Sequence, residues 1–133
     1  MERVYTTPRL DKLGVKPGMR VALLDLEDDA FEAEIRTRTD DVTLGEPGPD
    51  TDIVVYAADS PAALSRLSGL RARIVPNGAI WVVSRKGKAA TIRDVDVIAA
   101  AKAAGLVDNK VASFDETRTS LRLVIPLAMR PGR

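Results

Sequence analysis

The sequence contains neither cysteine nor histidine. Within this chain, disulfides, thiol nucleophiles, cysteine-based zinc sites and histidine-dependent catalytic triads are therefore excluded. Carboxylates, lysine, tyrosine and serine remain as groups that could take part in catalysis. Oxygen ligands for an ion such as magnesium also remain, but no pattern indicates such a site, and we expect no metal.

Aromatic residues and long apolar runs are also scarce. The 133 residues include one Trp, two Tyr and two Phe, too few for the aromatic series that a nucleic-acid surface uses. No apolar run reaches the length of about 18 residues that spans a membrane, and no basic N-terminus leads into an apolar segment. We therefore expect no nucleic-acid partner, no membrane span, no signal peptide and a cytoplasmic location.

The charge is nearly balanced overall but unevenly distributed. The formal net charge is +1, yet residues 1–66 hold 14 acidic and 8 basic residues, whereas residues 67–133 hold 5 and 12. Such asymmetry can mark a basic binding face or head-to-tail association. We favour the alternative, that both halves interleave in one sheet and their fields partly cancel. A homodimer formed through the exposed edge of the short sheet is a separate possibility. The length fits one domain over residues 1–133.

Three apolar runs have the length of buried strands. They are "MRVALLDL" (19–26), "DIVVYAAD" (52–59) and "AIWVVS" (79–84), and continuous apolar runs of this kind are typical of strands covered on both faces. Two later strands, "NKVASFDE" and "TSLRLVIPL", are close enough to form an antiparallel hairpin. A short helix is predicted over 30–38 and a short strand in "DDVTLGE".

Local signals mark the ends of the predicted helices and turns. Helix caps are predicted at Thr7, at Ser60, and at Thr91 with Asp94. Left-handed glycines are predicted to end helices at Gly14 and Gly105, and Asn77-Gly78 is predicted to be a turn. Apolar stripes are predicted at Leu64, Leu67, Leu70 and Ile74, and again at Val95, Ile98 and Ala99. Alternating strands and helices followed by a hairpin predict an α/β three-layer sandwich with a mostly parallel sheet and an antiparallel C-terminal hairpin.

These segments carry a resemblance. "KPGMRVALLDL", "TDIVVYAADSPAALSRLSGLRARIVPNGAIWVVSRKG" and "AAGLVDNKVASFDETRTSLRLVIP" together resemble the class I S-adenosylmethionine-dependent methyltransferase fold, which is Rossmann-like. More closely, the whole chain resembles a small bacterial family of unknown function with a truncated form of that fold. The resemblance implies a cofactor site at the end of the first strand and an acidic ribose ligand in the following segment.

The sequence departs from the family pattern at the cofactor position. Methyltransferases of this class place Gly-x-Gly-x-Gly after the first strand, where the backbone approaches the cofactor closely. Here the first two glycine positions fall on Asp25 and Glu27, whose side chains would fill that space. About 25 residues separate the first and second apolar strands, which is too short for the two βα units that the family implies there. Glu46 is the nearest candidate for the ribose ligand.

Ligands of open α/β sheets bind beyond the carboxyl ends of the strands. The candidate cleft residues at that edge are Asp25, Glu27, Asp59, Ser84, Arg85, Lys86 and Lys88. The alternative is a solvated rim in which Ser60 and Asp28 or Asp29 only stabilise helix starts. Trp81 and Tyr56 lie in buried-type strands, so we expect core packing rather than ligand stacking.

Two functions are consistent with the sequence. The first is a non-catalytic methyltransferase-like binding or interaction module that lacks the glycine-rich cofactor loop and holds no cofactor. The alternative is a small methyltransferase, or another transferase, whose atypical S-adenosylmethionine site is completed by a partner. We favour the first, and expect no catalytic residues. Its partner would be a protein or a small anionic ligand, the latter bound at the "SRKGK" loop.

Overall fold

A six-stranded sheet forms the centre of the protein, in the strand order β2-β1-β3-β4-β6-β5. The computed structural model describes residues 8–130, so the cap predicted at Thr7 lies outside the described residues. The strands are Val21–Leu24 (β1), Val42–Leu44 (β2), Thr51–Ala57 (β3), Ile74–Arg85 (β4), Val107–Ser113 (β5) and Arg118–Val124 (β6). The first four strands pair in parallel, and β6 pairs antiparallel with both β4 and β5. The predicted mostly parallel sheet with an antiparallel C-terminal hairpin is confirmed.

Helices cover both faces of this sheet. They are Arg9–Leu13 (α1), Asp29–Ile35 (α2), Pro61–Leu64 (α3), Leu67–Arg71 (α4) and Asp94–Ala103 (α5). One core cluster joins α1 and α2 to one face of the sheet, and the other joins α3, α4 and α5 to the opposite face. Alternate residues of each central strand enter the two clusters, as the pleat requires. The predicted three-layer sandwich is therefore also confirmed.

The segment between β1 and β3 holds one helix and one strand, α2 and β2. This is one βα unit, where the resemblance implies two. Asp28 begins α2, because its side chain accepts a hydrogen bond from the Phe31 amide at 2.9 Å. The sequence prediction that Asp28 or Asp29 stabilises a helix start is confirmed at Asp28.

Several helix ends also agree with the sequence. Ser60 caps α3 through the Ala63 amide at 3.1 Å. Gly14 and Gly105 adopt left-handed conformations, with φ of 77° and 79°. Trp81 and Tyr56 are buried as expected, and the Tyr56 hydroxyl donates to the Ala63 carbonyl at 2.8 Å.

Three sequence predictions are wrong in detail, and the first concerns the start of β4. Ile74, predicted as part of the helical apolar stripe, is the first residue of that strand. Asn77-Gly78 is not a turn but lies inside β4, where a Cβ at Gly78 would approach the Asp52 carbonyl to 2.8 Å. Glycine is needed there because the β3 backbone passes so close. The second error is the cap of α5, where Asp96 accepts from the Arg93 amide at 2.8 Å, while the Thr91 hydroxyl instead donates to the Asp59 carbonyl.

The third error concerns the buried side of α5. Val97 and Ala101 face the core, whereas Val95 and Ile98 are exposed. The helix was predicted correctly but its orientation was not, because its apolar residues nearly encircle it. Within residues 8–130, no helix has the length and apolar character needed to cross a membrane.

Candidate functional site

The loop that follows β1 lies at the carboxyl edge of the sheet. All four residues of β1 are buried, and the chain then turns sharply at Asp25, whose φ is 58°. This left-handed conformation is favourable for glycine and tolerated by Asp, and it is uncommon for other residues. The first glycine position of the methyltransferase pattern therefore keeps the backbone turn that glycine would make, but the residue there is Asp25, which adds a carboxylate.

An open cleft of about 390 Å³ lies beside this turn, between the ends of β1 and β2. Its apolar lining comes from Leu23, Leu26 and Leu44. Five carboxylates also line it, from Asp25, Glu27, Asp28, Asp29 and Glu32. No basic side chain lines the cleft, although Arg118 pairs with Asp28 and Arg36 pairs with Glu32 just outside it. Asp25, Glu27 and Asp29 form no ion pair within residues 8–130, so the local field is negative and disfavours anionic groups. Among residues 8–130, no group of three or more acidic side chains is arranged to hold a metal ion.

Arg118 at the start of β6 fixes one wall of this cleft. Its Nη2 donates to the Asp28 carboxylate at 2.7 Å and to the Asp115 carboxylate at 2.6 Å. The guanidinium also lies over the Phe114 ring, 4.9 Å from the ring centre. Partial burial alone would raise the pKa of Asp28, but the Phe31 amide and the Arg118 guanidinium lower it below its ordinary value. Asp28 is therefore a structural carboxylate that stays ionised.

Glu46 follows β2 and is engaged by a side chain from the helical segment after β3. Both of its carboxylate oxygens accept hydrogen bonds from Nη2 of Arg66, at 2.6 and 2.7 Å. The resemblance makes Glu46 the candidate for an acidic ribose ligand. In this structure both oxygens of Glu46 already accept a hydrogen bond from a guanidinium of the same chain, and a ribose would compete with it.

The remaining predicted site residues lie outside the lining of the cleft, at or just after the ends of β3 and β4. Asp59, which follows β3, accepts a hydrogen bond from the Arg85 amide at 2.9 Å, and Arg85 Nε lies 3.5 Å from the same carboxylate. Lys86 Nζ donates to Ser113 Oγ at 3.0 Å. Ser84 is buried within β4, and Lys88 is exposed in the 3₁₀ turn Gly87–Ala89.

The seven predicted residues thus form two groups. Asp25 and Glu27 lie together in the acidic cleft, whereas Asp59, Ser84, Arg85, Lys86 and Lys88 lie at the ends of β3 and β4. Sequence reasoning missed Arg118 and Arg66, which are joined to cleft or edge carboxylates. The spacing of Asp115 and Arg118, three residues apart, was the one local signal for the first of these pairs.

Comparisons with known proteins give a result for the fold only. No protein-family model matches the chain, and no curated protein matches it. Among solved structures, it is similar to a putative methyltransferase from Thermoplasma acidophilum, at 10% identity and a TM-score of 0.65, covering 86% of this chain and 71% of that one. The chain has the class I methyltransferase fold.

Two further methyltransferase-fold structures cover most of both chains. A SAM-dependent methyltransferase from Aquifex aeolicus matches at 15% identity and a TM-score of 0.61, over 88% of this chain and 87% of that one. A precorrin-6y C5,15-methyltransferase from Geobacter metallireducens matches at 11% identity and a TM-score of 0.61, over 86% and 83%. At these identities, the likeness establishes the architecture and leaves the chemistry to the residues of the site.

Proposed function

We propose that this chain is a non-catalytic methyltransferase-like module that acts by binding or interaction and holds no S-adenosylmethionine. One observation carries the proposal. At the end of β1, the turn that a cofactor-binding relative would build from glycines presents carboxylates to the cleft, beginning with Asp25. A cofactor that needs close approach to backbone atoms meets side chains there instead.

One charged group of the cofactor would have no partner in this cleft. S-adenosylmethionine carries an ammonium and a sulfonium, which carboxylates can face, and a carboxylate, which needs a donor or a basic side chain. No basic residue lines the cleft. An uncompensated carboxylate would lose water on entering and would lie close to like charges, so the methionine end is poorly matched here.

The Glu46–Arg66 pair adds a smaller, second obstacle. The Arg66 guanidinium donates to both oxygens of Glu46, so a ribose hydroxyl would compete with it for this carboxylate. Since both side chains are well exposed, displacing the guanidinium costs little, and the pair supports the proposal only weakly.

A transferase with an atypical cofactor site is the alternative function. It is favoured by two observations: the left-handed turn at Asp25 is conformationally intact, and an open cleft of about 390 Å³ lies beside it. A partner chain that contributed basic residues could neutralise the acidic lining. This alternative requires cofactor binding in the presence of that partner.

Isothermal titration with S-adenosylmethionine and S-adenosylhomocysteine tests the proposal. We expect no saturable heat for the wild-type protein up to millimolar cofactor, and micromolar binding of either compound would overturn the proposal. The double variant Asp25→Gly/Glu27→Gly restores backbone access but not the missing βα unit. Labelled-methyl transfer by that folded variant would contradict a lost site.

The binding role needs a separate test. Two baits would be compared in pull-downs from the native host. One is the wild-type protein, and the other is a charge variant that carries Asp25→Asn, Glu27→Gln and Asp29→Asn. A protein retained by the wild type and lost from the charge variant supports an interaction module. Equal recovery on both baits would contradict a role for the cleft.

A further inference from the structure

Arg122 lies in the middle of β6, far along the sheet from the acidic cleft. In the β4–β6 pairing it stands opposite Trp81, so both side chains lie on the face that α1 covers. Trp81 Nε1 donates to the Leu13 carbonyl at 2.9 Å, which fixes the end of α1 over this part of the sheet. Arg122 is therefore placed beside the C-terminal end of α1.

A groove of about 250 Å³ runs between that helix end and the two antiparallel strands. Arg122 and Lys110 line it from the sheet, and Lys12 and the left-handed Gly14 line it from the end of α1. Lys110 is held across the groove, because its Nζ donates to the Lys12 carbonyl at 3.1 Å. Three basic residues thus border one small opening.

Within residues 8–130 the five N–H donors of the Arg122 guanidinium have no hydrogen-bond or ion-pair partner, and its nitrogens are not sealed from solvent. It is partly buried, and that burial, together with the nearby Arg130 guanidinium, lowers the pKa of Arg122. Arg130 itself is anchored by a hydrogen bond from Nε to the Ile125 carbonyl at 2.9 Å. The charge of Arg122 is thus partly desolvated and repelled by a neighbour, and an anion in the groove would offset both effects.

Two carboxylates near Arg122 are engaged elsewhere. Asp11 lines the groove and is paired with Arg38 at 2.6 Å. Asp52 lines an adjoining cavity and accepts a hydrogen bond from the Arg20 amide at 2.8 Å. Neither carboxylate forms an ion pair with Arg122 or lowers the free energy of its charged form appreciably. With Asp11 paired to Arg38, the three basic residues leave the groove with a net positive field.

We propose that this groove binds a small ligand that carries a phosphate or carboxylate group, with Arg122 as its main contact. A guanidinium can donate two parallel hydrogen bonds to either oxyanion, and Lys110 and Lys12 add charge at the rim. The site is independent of the acidic cleft and of the function proposed for it. It places the anion on the face of α1 rather than at the "SRKGK" loop.

A purely structural role for Arg122 makes a different prediction. Its aliphatic stem could cover Trp81 while the guanidinium reaches water at the mouth of the groove. In that case phosphate and acetate would not bind in a saturable way. Replacement by Met, which keeps the stem and removes the charge, would also change nothing in an anion titration.

Two-dimensional ¹⁵N–¹H NMR of the whole chain, titrated separately with inorganic phosphate and with acetate at low salt, tests the proposal. The wild type is expected to show saturable shifts at the amides of Gly14, Asn109 and Lys110 for at least one anion. The anion that binds with the higher affinity identifies whether the ligand group is a phosphate or a carboxylate. Linear, non-saturating shifts for both would overturn the proposal.

Three variants locate the contact. Arg122→Met is expected to weaken anion affinity by at least about tenfold, and Arg122→Lys, which cannot form the bidentate contact, by roughly threefold. Lys102→Met removes one charge from the exposed side of α5, on the other face of the sheet, and should leave affinity within about twofold. If Arg122→Met does not fold, the anion affinity of Arg122→Lys is compared with that of Lys102→Met to test the assignment. Equal affinity in those two variants and the wild type would overturn the assignment.

Discussion

The Asp28 carboxylate and the Arg118 guanidinium meet at 2.7 Å, although the two residues are 90 positions apart in the chain. Asp28 caps α2 and Arg118 begins β6, so this contact joins the loop after the first strand to the last hairpin. Because Arg118 also holds Asp115, the three side chains form one network. The acidic cleft is consequently bordered by a fixed wall rather than by a free loop.

Arg118→Met should lower the free energy of unfolding by about 1–3 kcal/mol at neutral pH, the range for hydrogen bonds to charged groups. The pKa values of both Asp28 and Asp115 are lowered in the folded state by hydrogen bonds, which outweigh the opposing effect of burial. A lowered folded pKa gives stability that is present above the unfolded value and is lost as the pH falls below about 4. The deficit of the variant should therefore shrink in acid. Urea unfolding at pH 7, 5 and 3 measures it.

Arg36→Met is the matched control for that experiment. Arg36 pairs with Glu32 one helical turn away and is more exposed than Arg118. An exposed pair of this kind contributes roughly 0–1 kcal/mol. A deficit for Arg118→Met that equals the control, or one that stays constant down to pH 3, would contradict the network.

Asp25→Gly should stabilise the fold by roughly 0.5–1 kcal/mol, because glycine adopts the left-handed conformation without the steric cost that any Cβ meets. Asp50 has the same φ of 58° and lies outside the acidic cleft, so Asp50→Gly is the control for backbone conformation alone. Equilibrium unfolding of the two glycine variants and of Asp25→Ala measures the effect. Asp25→Ala should be less stable than Asp25→Gly, and the reverse order would mean that the Asp25 side chain itself stabilises the turn.

Much of the fold could be predicted from the sequence because its signals are local. Continuous apolar runs mark the central strands, Ser60 before Pro61 marks a helix start, and Gly105 marks a helix end. Each signal depends on residues within one turn or one strand, where periodicity and backbone preference act directly. The carboxyl edge of the sheet, and hence the position of the acidic cleft, follows from that order of elements.

Features that depend on packing between distant segments could not be predicted. The close approach of the Asp52 carbonyl to Gly78 makes a strand where Asn-Gly ordinarily predicts a turn. The Arg66 partner of Glu46 lies 20 residues away, in a different element. Likewise, the sequence around Arg122 indicates only an ordinary strand residue, and its position opposite Trp81 depends on the strand register.

Replacing Arg85, Lys86 and Lys88 together by Ala should leave the melting temperature within a few degrees, since exposed charges contribute little. Arg85 already has Asp59 as a partner and Lys86 has Ser113, so Lys88 is the exposed cation of this loop without an assigned contact among the described residues. A thermal-shift series with phosphate at low salt, run on wild type and triple variant, checks both statements. Loss of a phosphate-dependent shift in the triple variant, with Arg122 intact, would favour an anion site at this loop over the groove beside α1.

Trp81→Ala should destabilise the protein by about 3–5 kcal/mol, the range for deleting a fully buried aromatic side chain. Trp81 has no exposed surface and also donates to the Leu13 carbonyl, so packing and hydrogen bonding both contribute. Trp81→Phe keeps most of the packing and removes the donor, and should cost about 1–3 kcal/mol because a buried carbonyl loses its partner. Urea unfolding followed by circular dichroism, which does not depend on the tryptophan signal, measures both variants. A loss below about 1 kcal/mol for Trp81→Ala would contradict the position of Trp81 between β3 and β6, under the end of α1.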